Sequence, residues 1–158
     1  MKTLVIFLLL FSINIVAEPV SVFNSIIQKN LTFNQKVINN NKIEEMIGDL
    51  VHEKKIIKIN VTHPYRETYV INNSKIIIYD YDFDQSRAID IKDLEMPLVL
   101  LFKNGVQSFE NIKNISKNSF EIHNKSVDIY VEILNEESFF VKYKDNLDFI
   151  NLINFKVT

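Results

Sequence analysis

The sequence predicts a mainly β (α+β) fold, with one helix followed by short strands joined in series as an antiparallel meander, curved or barrel-like. Three observations carry this. Helical spacing of apolar residues is confined to the region just after Pro19, where Val20, Phe23, Ile26 and Ile27 recur at the interval of one helix face. From Leu31 onward the dominant period is two, the repeat of a strand with one buried side. Asn- and Asp-bearing segments interrupt that pattern at intervals suited to turns. A chain of 158 residues with 47% apolar residues suits one folded domain.

The first residues read as an address. Lys2 supplies a positive start, Leu4 to Phe11 is an unbroken apolar run, and Ala17 is a small residue at a cleavage position. Ser12 and Asn14 interrupt the stretch well short of the roughly 20 apolar residues that a membrane span needs. A Sec-type signal peptide over residues 1–17, cleaved after Ala17, is expected, leaving residues 18–158 as a single domain outside the cytoplasm. That mature chain holds 141 residues, and loss of Lys2 takes the formal charge from −2 to −3.

The helix is expected over Pro19 to Gln28, with Pro in its first turn. Ile57, Ile59 and Val61 then alternate with Lys58, Asn60 and Thr62, and Tyr69 and Ile71 resume after His63-Pro64. Asn72-Asn73-Ser74 predicts a turn before a strand over Lys75 to Asp80. Val127, Ile129, Val131 and Ile133 alternate with Asp128, Tyr130, Glu132 and Leu134, and Asn135-Glu136-Glu137 turns the chain into Phe139, Val141 and Tyr143. A last strand is expected to carry Leu147, Phe149, Ile153 and Phe155. One segment departs from this pattern. Pro97-Leu98-Val99-Leu100-Leu101-Phe102 is apolar on consecutive positions and runs into Lys103-Asn104-Gly105. Pro at the start and Gly past the end punctuate a short helix that must be covered or lie over a cavity; a buried strand is the alternative.

Composition excludes several classes. The absence of Cys removes disulfides, thiolate metal sites, a thiol nucleophile and a lipid-bearing N-terminal Cys. With 18 Lys+Arg against 20 Asp+Glu there is no basic excess for nucleic acid. Such a chain holds together by core burial alone.

Candidate chemistry is sparse. Asp80, Asp82 and Asp84 form D-x-D-x-D, but Gln85 and Ile91 stand where a calcium loop needs Gly and a carboxylate, so an acidic hairpin turn is expected. His52, His63 and His123 lack metal-ligand spacing. Glu53 with Lys54-Lys55, and Arg66 with Glu67, read as exposed ion pairs. No phosphate loop or nucleophile elbow occurs, and no catalytic residue, metal or cofactor is assigned. What remains is apolar surplus. The region after residue 17 carries ten Phe and six Tyr, more than one helix on an open sheet would cover. Either the aromatics fill a closed barrel, which composition alone favours, or they line a pocket for an apolar guest.

A set of short patterns falls in a fixed order. Phe33-Asn34-Gln35 opens a strand, Gly48-Asp49-Leu50 opens another, and Lys54-Lys55 follows as a basic step. Pro64-Tyr65-Arg66-Glu67 leads into a strand, Tyr79-Asp80 through Gln85 forms a hairpin, and Pro97 to Phe102 is a Pro-led apolar helix. In this order and spacing, behind a signal peptide and first helix over Met1 to Asn30, the chain resembles the outer-membrane lipoprotein carrier protein family, LolA, of Gram-negative bacteria, over most of residues 1–110.

The resemblance implies an unclosed antiparallel β-barrel, a curved half-barrel with short lid helices over a hydrophobic cavity. It implies a periplasmic chaperone, not an enzyme, that binds the acyl chains of triacylated lipoproteins. An inner-membrane ABC lipoprotein-releasing complex would load it, and a related LolB-like outer-membrane acceptor would unload it. It would act as a monomer without nucleic acid. A general periplasmic lipid- or glycolipid-binding protein on the same half-barrel is the alternative. The lid helix falls on Pro97, Leu98, Val99, Leu100, Leu101 and Phe102, and the lid latch on Lys54 with the Leu101 carbonyl. Cavity candidates are Phe23, Ile27, Phe33, Leu50, Ile57, Ile59, Tyr69, Ile71, Ile78, Phe120, Ile129, Val131, Phe139 and Val141.

Departures from the family pattern are specific. The usual latch Arg is Lys54, which lacks a planar fork of donors, and the Pro that usually follows is Lys55. The common aromatics over Ile56 to Val61 are aliphatic or polar. Residues 111–158 match only in pattern, and a minimal carrier with a shorter C-terminal end is expected.

Overall fold

A computed structural model describes residues 18–40, 42–91, 97–124 and 127–158, so the expected signal peptide lies outside the described residues. Helix α1 (Pro19–Ile26) precedes six strands: β1 (Leu31–Asn39), β2 (Lys42–Glu53), β3 (Ile56–His63), β4 (Glu67–Ile71), β5 (Lys75–Asp80) and β6 (Gln85–Asp90). Helix α2 (Pro97–Asn104) and a 3-10 turn (Val106–Ser108) follow. The chain closes with β7 (Asn111–Ser116), β8 (Ser119–His123), β9 (Asp128–Asn135), β10 (Ser138–Lys144) and β11 (Ile150–Val157).

All eleven strands form one antiparallel sheet in the order β6-β5-β4-β3-β2-β1-β11-β10-β9-β8-β7. Two hairpin meanders are joined where β11 returns to pair with β1, Phe33 standing opposite Phe155. The edges, β6 and β7, do not pair with each other, so the barrel is unclosed. The chain between them must travel from one edge of the sheet to the other. Helix α2 lies on that crossing, so the topology itself carries it over the inner face.

The period of two sets which side chains face inward. Leu31, Phe33, Leu50, Ile57, Val61, Ile71, Ile76, Ile78, Phe120, Ile129, Val131, Phe139, Val141, Ile153 and Phe155 are buried on one face, with both helices packed against it. Burying each of these larger side chains contributes about 1.5–3 kcal/mol. Gly48 on β2 leaves the space that the Phe33 ring occupies. A Cβ there would lie 2.1 Å from the Asn60 carbonyl oxygen and 2.7 Å from the ring.

Helix α1 buries Pro19, Phe23 and Ile26 along one side. It ends at Ile26 rather than Gln28, because Lys29 N–H bonds back to the Ile26 carbonyl at 3.0 Å and tightens the chain into a turn. Helix α2 forms as expected, and the strand alternative falls. It stops at Gly105, whose φ of 74° suits Gly and whose N–H donates to the Leu101 carbonyl at 2.9 Å. The expected last strand is shorter at its start: Leu147 and Phe149 lie in the turn before β11. Asp145 Oδ1 accepts both their N–H groups, at 3.0 and 2.9 Å, and holds that turn.

The ion pairs also choose other partners. Glu53 pairs with Lys58 at 2.8 Å, reaching the next strand instead of its sequence neighbours. Arg66 pairs with Asp82 at 3.0 Å, while Glu67 accepts the Tyr69 hydroxyl proton. The three aspartates do form a hairpin turn. Asp80 Oδ1 accepts the N–H groups of Asp82 and Phe83 at 3.1 Å, and Asp82 holds the β3–β4 connection through the Arg66 backbone and guanidinium. Those Arg66 contacts keep the Asp82 carboxyl below its ordinary range.

Candidate functional site

The inner face divides into a filled half and an open half. In the filled half, Phe23 of α1 meets Phe120 and Phe139 edge-on, with ring centroids 5.4 and 4.9 Å apart. Phe139 stacks on Phe155 at 4.7 Å, and Phe155 meets Phe102 of α2 at 5.2 Å. This ladder packs one side of the barrel solid. The other side holds a cavity of about 380 Å³, in the size range of small-molecule sites.

The cavity is lined by Phe33, Gln35 and Met46 of β1 and β2, by Ile59, Val61, Tyr69, Ile71 and Ile76 of β3 to β5, and by Leu98 and Val99 of α2. Val127, Tyr143, Asp145 and Asn146 complete it from the opposite meander. Because α2 contributes Leu98 and Val99 to the wall, it forms the cover of this space. Burial first, and then the Glu67 hydrogen bond, push the Tyr69 hydroxyl well above its ordinary range. Burial and the nearby Asp145 charge push Tyr143 up to about 12. Both phenols therefore face the interior uncharged.

Of the residues singled out from the sequence, the structure brings Phe33, Ile59, Tyr69, Ile71, Leu98 and Val99 together around the cavity. Phe23, Ile27, Leu50, Ile57, Ile78, Phe120, Ile129, Val131, Phe139 and Val141 are buried in the packed core, outside the cavity lining. Leu101 and Phe102 are also buried, anchoring α2 from beneath, while Leu100 is half-buried. Sequence reasoning did not pick out Gln35, Met46, Val61, Ile76, Val127, Tyr143, Asp145 or Asn146 as lining residues. The alternation that includes Val61, Val127 and Tyr143 could have pointed to the inner face; Gln35, Asp145 and Asn146 carried no such signal.

Lys54 is exposed in the β2–β3 turn and makes no hydrogen bond or ion pair among the described residues. The Leu101 carbonyl accepts the Gly105 N–H. Among the described residues, Lys103 makes a side-chain hydrogen bond from α2 to the sheet's turns: its Nζ donates to the Asn73 carbonyl at 2.7 Å in the β4–β5 turn. At the same end, Asn24 of α1 accepts the Val106 N–H through its Oδ1 at 3.1 Å. His52 contacts the Ile27 carbonyl at 2.8 Å and His123 sits beside Asp128 at 3.0 Å, so both serve local structure. Among the described residues no group of three or more His, Asp and Glu could hold a metal.

An open antiparallel barrel with an apolar cavity under a crossing helix fits the comparison with known families. The family model of the outer membrane lipoprotein carrier protein LolA matches residues 26–131. The chain belongs to the LolA family. The match runs from the end of α1 into β9, beyond residue 110 where the short sequence patterns stop, and it contains the whole of α2. The resemblance over residues 1–25 lies outside it. The LolA family is one of periplasmic lipoprotein carriers, and a cavity of apolar residues is the chemistry that such cargo requires. No curated protein is similar enough in sequence to count as a relative.

Proposed function

We propose that this protein is a periplasmic carrier that shelters the acyl chains of a triacylated lipoprotein in the cavity under α2. Residues 1–17 direct export and are removed, and residues 18–158 form the carrier. An inner-membrane ABC complex transfers the cargo to it, and an outer-membrane acceptor of related half-barrel form withdraws it. The carrier works as a monomer in a one-to-one complex.

The cavity of about 380 Å³ beneath Leu98 and Val99 is the observation that supports this reading. Each methylene moved from water into such a site contributes about 0.8 kcal/mol. Ten sheltered methylenes therefore correspond to about 8 kcal/mol of gross apolar gain, from which the cost of association is subtracted. That binding is tight enough for transit and weak enough for handover. Full burial of three chains would make release far slower. Because α2 is both wall and cover, cargo entry and α2 position are coupled: acyl chains that fill the space favour whichever α2 position leaves room for them.

The test is release of a radiolabelled lipoprotein from inner-membrane vesicles containing the cognate ABC complex. The expected result is a soluble one-to-one complex of carrier and lipoprotein. Retention of all label in the vesicles would remove the shuttle role and leave a general lipid-binding protein.

A further inference from the structure

The cavity is apolar along most of its wall and polar at one end, where Gln35, Tyr143, Asp145 and Asn146 meet. Asp145 is the one charged residue in that lining among the described residues, and no basic side chain stands in the wall to balance it. Its neighbour Lys144 is exposed and engages Asp148 at 2.6 Å.

The hydrogen bonds at this end have a fixed polarity. A carboxylate only accepts, so the Asp145 Oδ2 takes the Asn151 amide nitrogen, at 3.3 Å. Asn151 is 3% exposed and offers its own oxygen to Gln35 Nε2 at 2.8 Å. That bond uses one of the two Gln35 amide N–H groups. The Gln35 carbonyl oxygen, on a residue that lines the cavity, has no protein partner among the described residues. The end of the cavity therefore presents the Gln35 carbonyl oxygen and the anionic Asp145, held in place by a buried Asn, beside the neutral donors of Gln35, Tyr143 and Asn146.

Resting on the acyl-binding reading above, we propose that this polar end is a linkage subsite. It selects acyl chains attached through a neutral, hydrogen-bond-donating group, such as an amide N–H or a glycerol hydroxyl, over chains that end in a carboxylate or phosphate. A donor finds the Gln35 oxygen and the Asp145 carboxylate. An anion placed there meets a like charge with no basic residue in the cavity lining beside it. Two ligands with the same hydrocarbon chain gain the same apolar free energy, so the head alone decides between them.

The experiment compares a monoacylglycerol with the fatty acid of equal chain length, each titrated calorimetrically into the protein near neutral pH and below its micelle concentration. The monoacylglycerol is expected to bind about tenfold more tightly, the size of one modest like-charge penalty near a protein surface. Asp145→Asn keeps acceptors for the Leu147 and Phe149 N–H groups and is expected to narrow the gap by improving fatty-acid binding. Gln35→Leu narrows it from the other side, by weakening the monoacylglycerol alone. The comparison in the unsubstituted protein stands even where a variant fails to fold. Equal affinities there, or tighter binding of the fatty acid, overturn the subsite and leave the acyl-binding cavity intact. Binding of neither ligand overturns both.

Discussion

Lys103 of α2 donates to the backbone carbonyl of Asn73 at 2.7 Å, joining the cover of the cavity to the turn between β4 and β5. This bond is exposed and contributes about 1 kcal/mol. Burial of Val99, Leu101 and Phe102 beneath the same helix contributes several times more. Packing therefore holds α2 on the sheet, and Lys103 adjusts how often it lifts. Lys103→Ala is expected to speed exchange of a bound fluorescent lipid about fivefold, with a loss of no more than about 1 kcal/mol in unfolding free energy. Lys54→Ala, in a residue without a partner in this arrangement, is expected to leave exchange unchanged. The reverse outcome in stopped-flow exchange would place the latch at Lys54.

Leu98 and Leu101 lie three residues apart on α2 and answer to different forces. Leu98 lines the cavity and is half-buried, whereas Leu101 is fully buried. Leu101→Ala is expected to cost about 2–5 kcal/mol in urea unfolding. Leu98→Glu is expected to abolish lipoprotein loading while shifting the unfolding midpoint little. Equal losses of stability in the two variants would mean that Leu98 is ordinary core.

Gly48→Ala tests the wall opposite. The added methyl group meets the Asn60 carbonyl, which belongs to the backbone, and the Phe33 ring, which lines the cavity. A loss of about 1–3 kcal/mol is expected, together with reduced lipid capacity. Wild-type stability and capacity in Gly48→Ala would contradict the placement of Phe33.

Alkaline pH is expected to weaken the fold. Tyr69 and Tyr143 both titrate above 10.0, their ordinary value, when folded. Between that value and their folded ones the unfolded chain has lost protons that the folded chain keeps, so stability is complete below pH 10 and falls as pH rises further. Urea unfolding at successive pH values should show this decline, and Tyr143→Phe should flatten it. A pH-independent midpoint up to pH 12 would contradict the burial of these phenols.

Much of the architecture was legible because burial and period coincide. The strand at Lys75 to Asp80 has the Asn72-Asn73-Ser74 turn before it, and α2 is bracketed by Pro97 and Gly105. Where one face is not buried the signal vanishes. Every residue of β7 is exposed, so its sequence carries no alternation to read. Leu147 and Phe149 look like strand residues, but Asp145 captures their N–H groups and makes a turn.

The site was less legible than the fold. Phe33 and Phe139 are alike in sequence, yet Phe139 is met by Phe23 of α1 while Phe33 faces open space. Which half is filled depends on where α1 lands, a long-range outcome that local pattern does not contain. The polar end is assembled from β1, β10, β11 and the turn between the last two, so no contiguous motif announces Gln35 with Asp145.

Cargo carrying a photoreactive group on an acyl chain tests the central claim most directly. Irradiation of the loaded complex, followed by peptide mapping, should place the adducts on cavity residues such as Ile59, Ile71, Leu98 and Val99. Adducts confined to outward-facing positions such as Ile77 and Val70, or no adduct from a loaded complex, would contradict an acyl chain sheltered beneath α2.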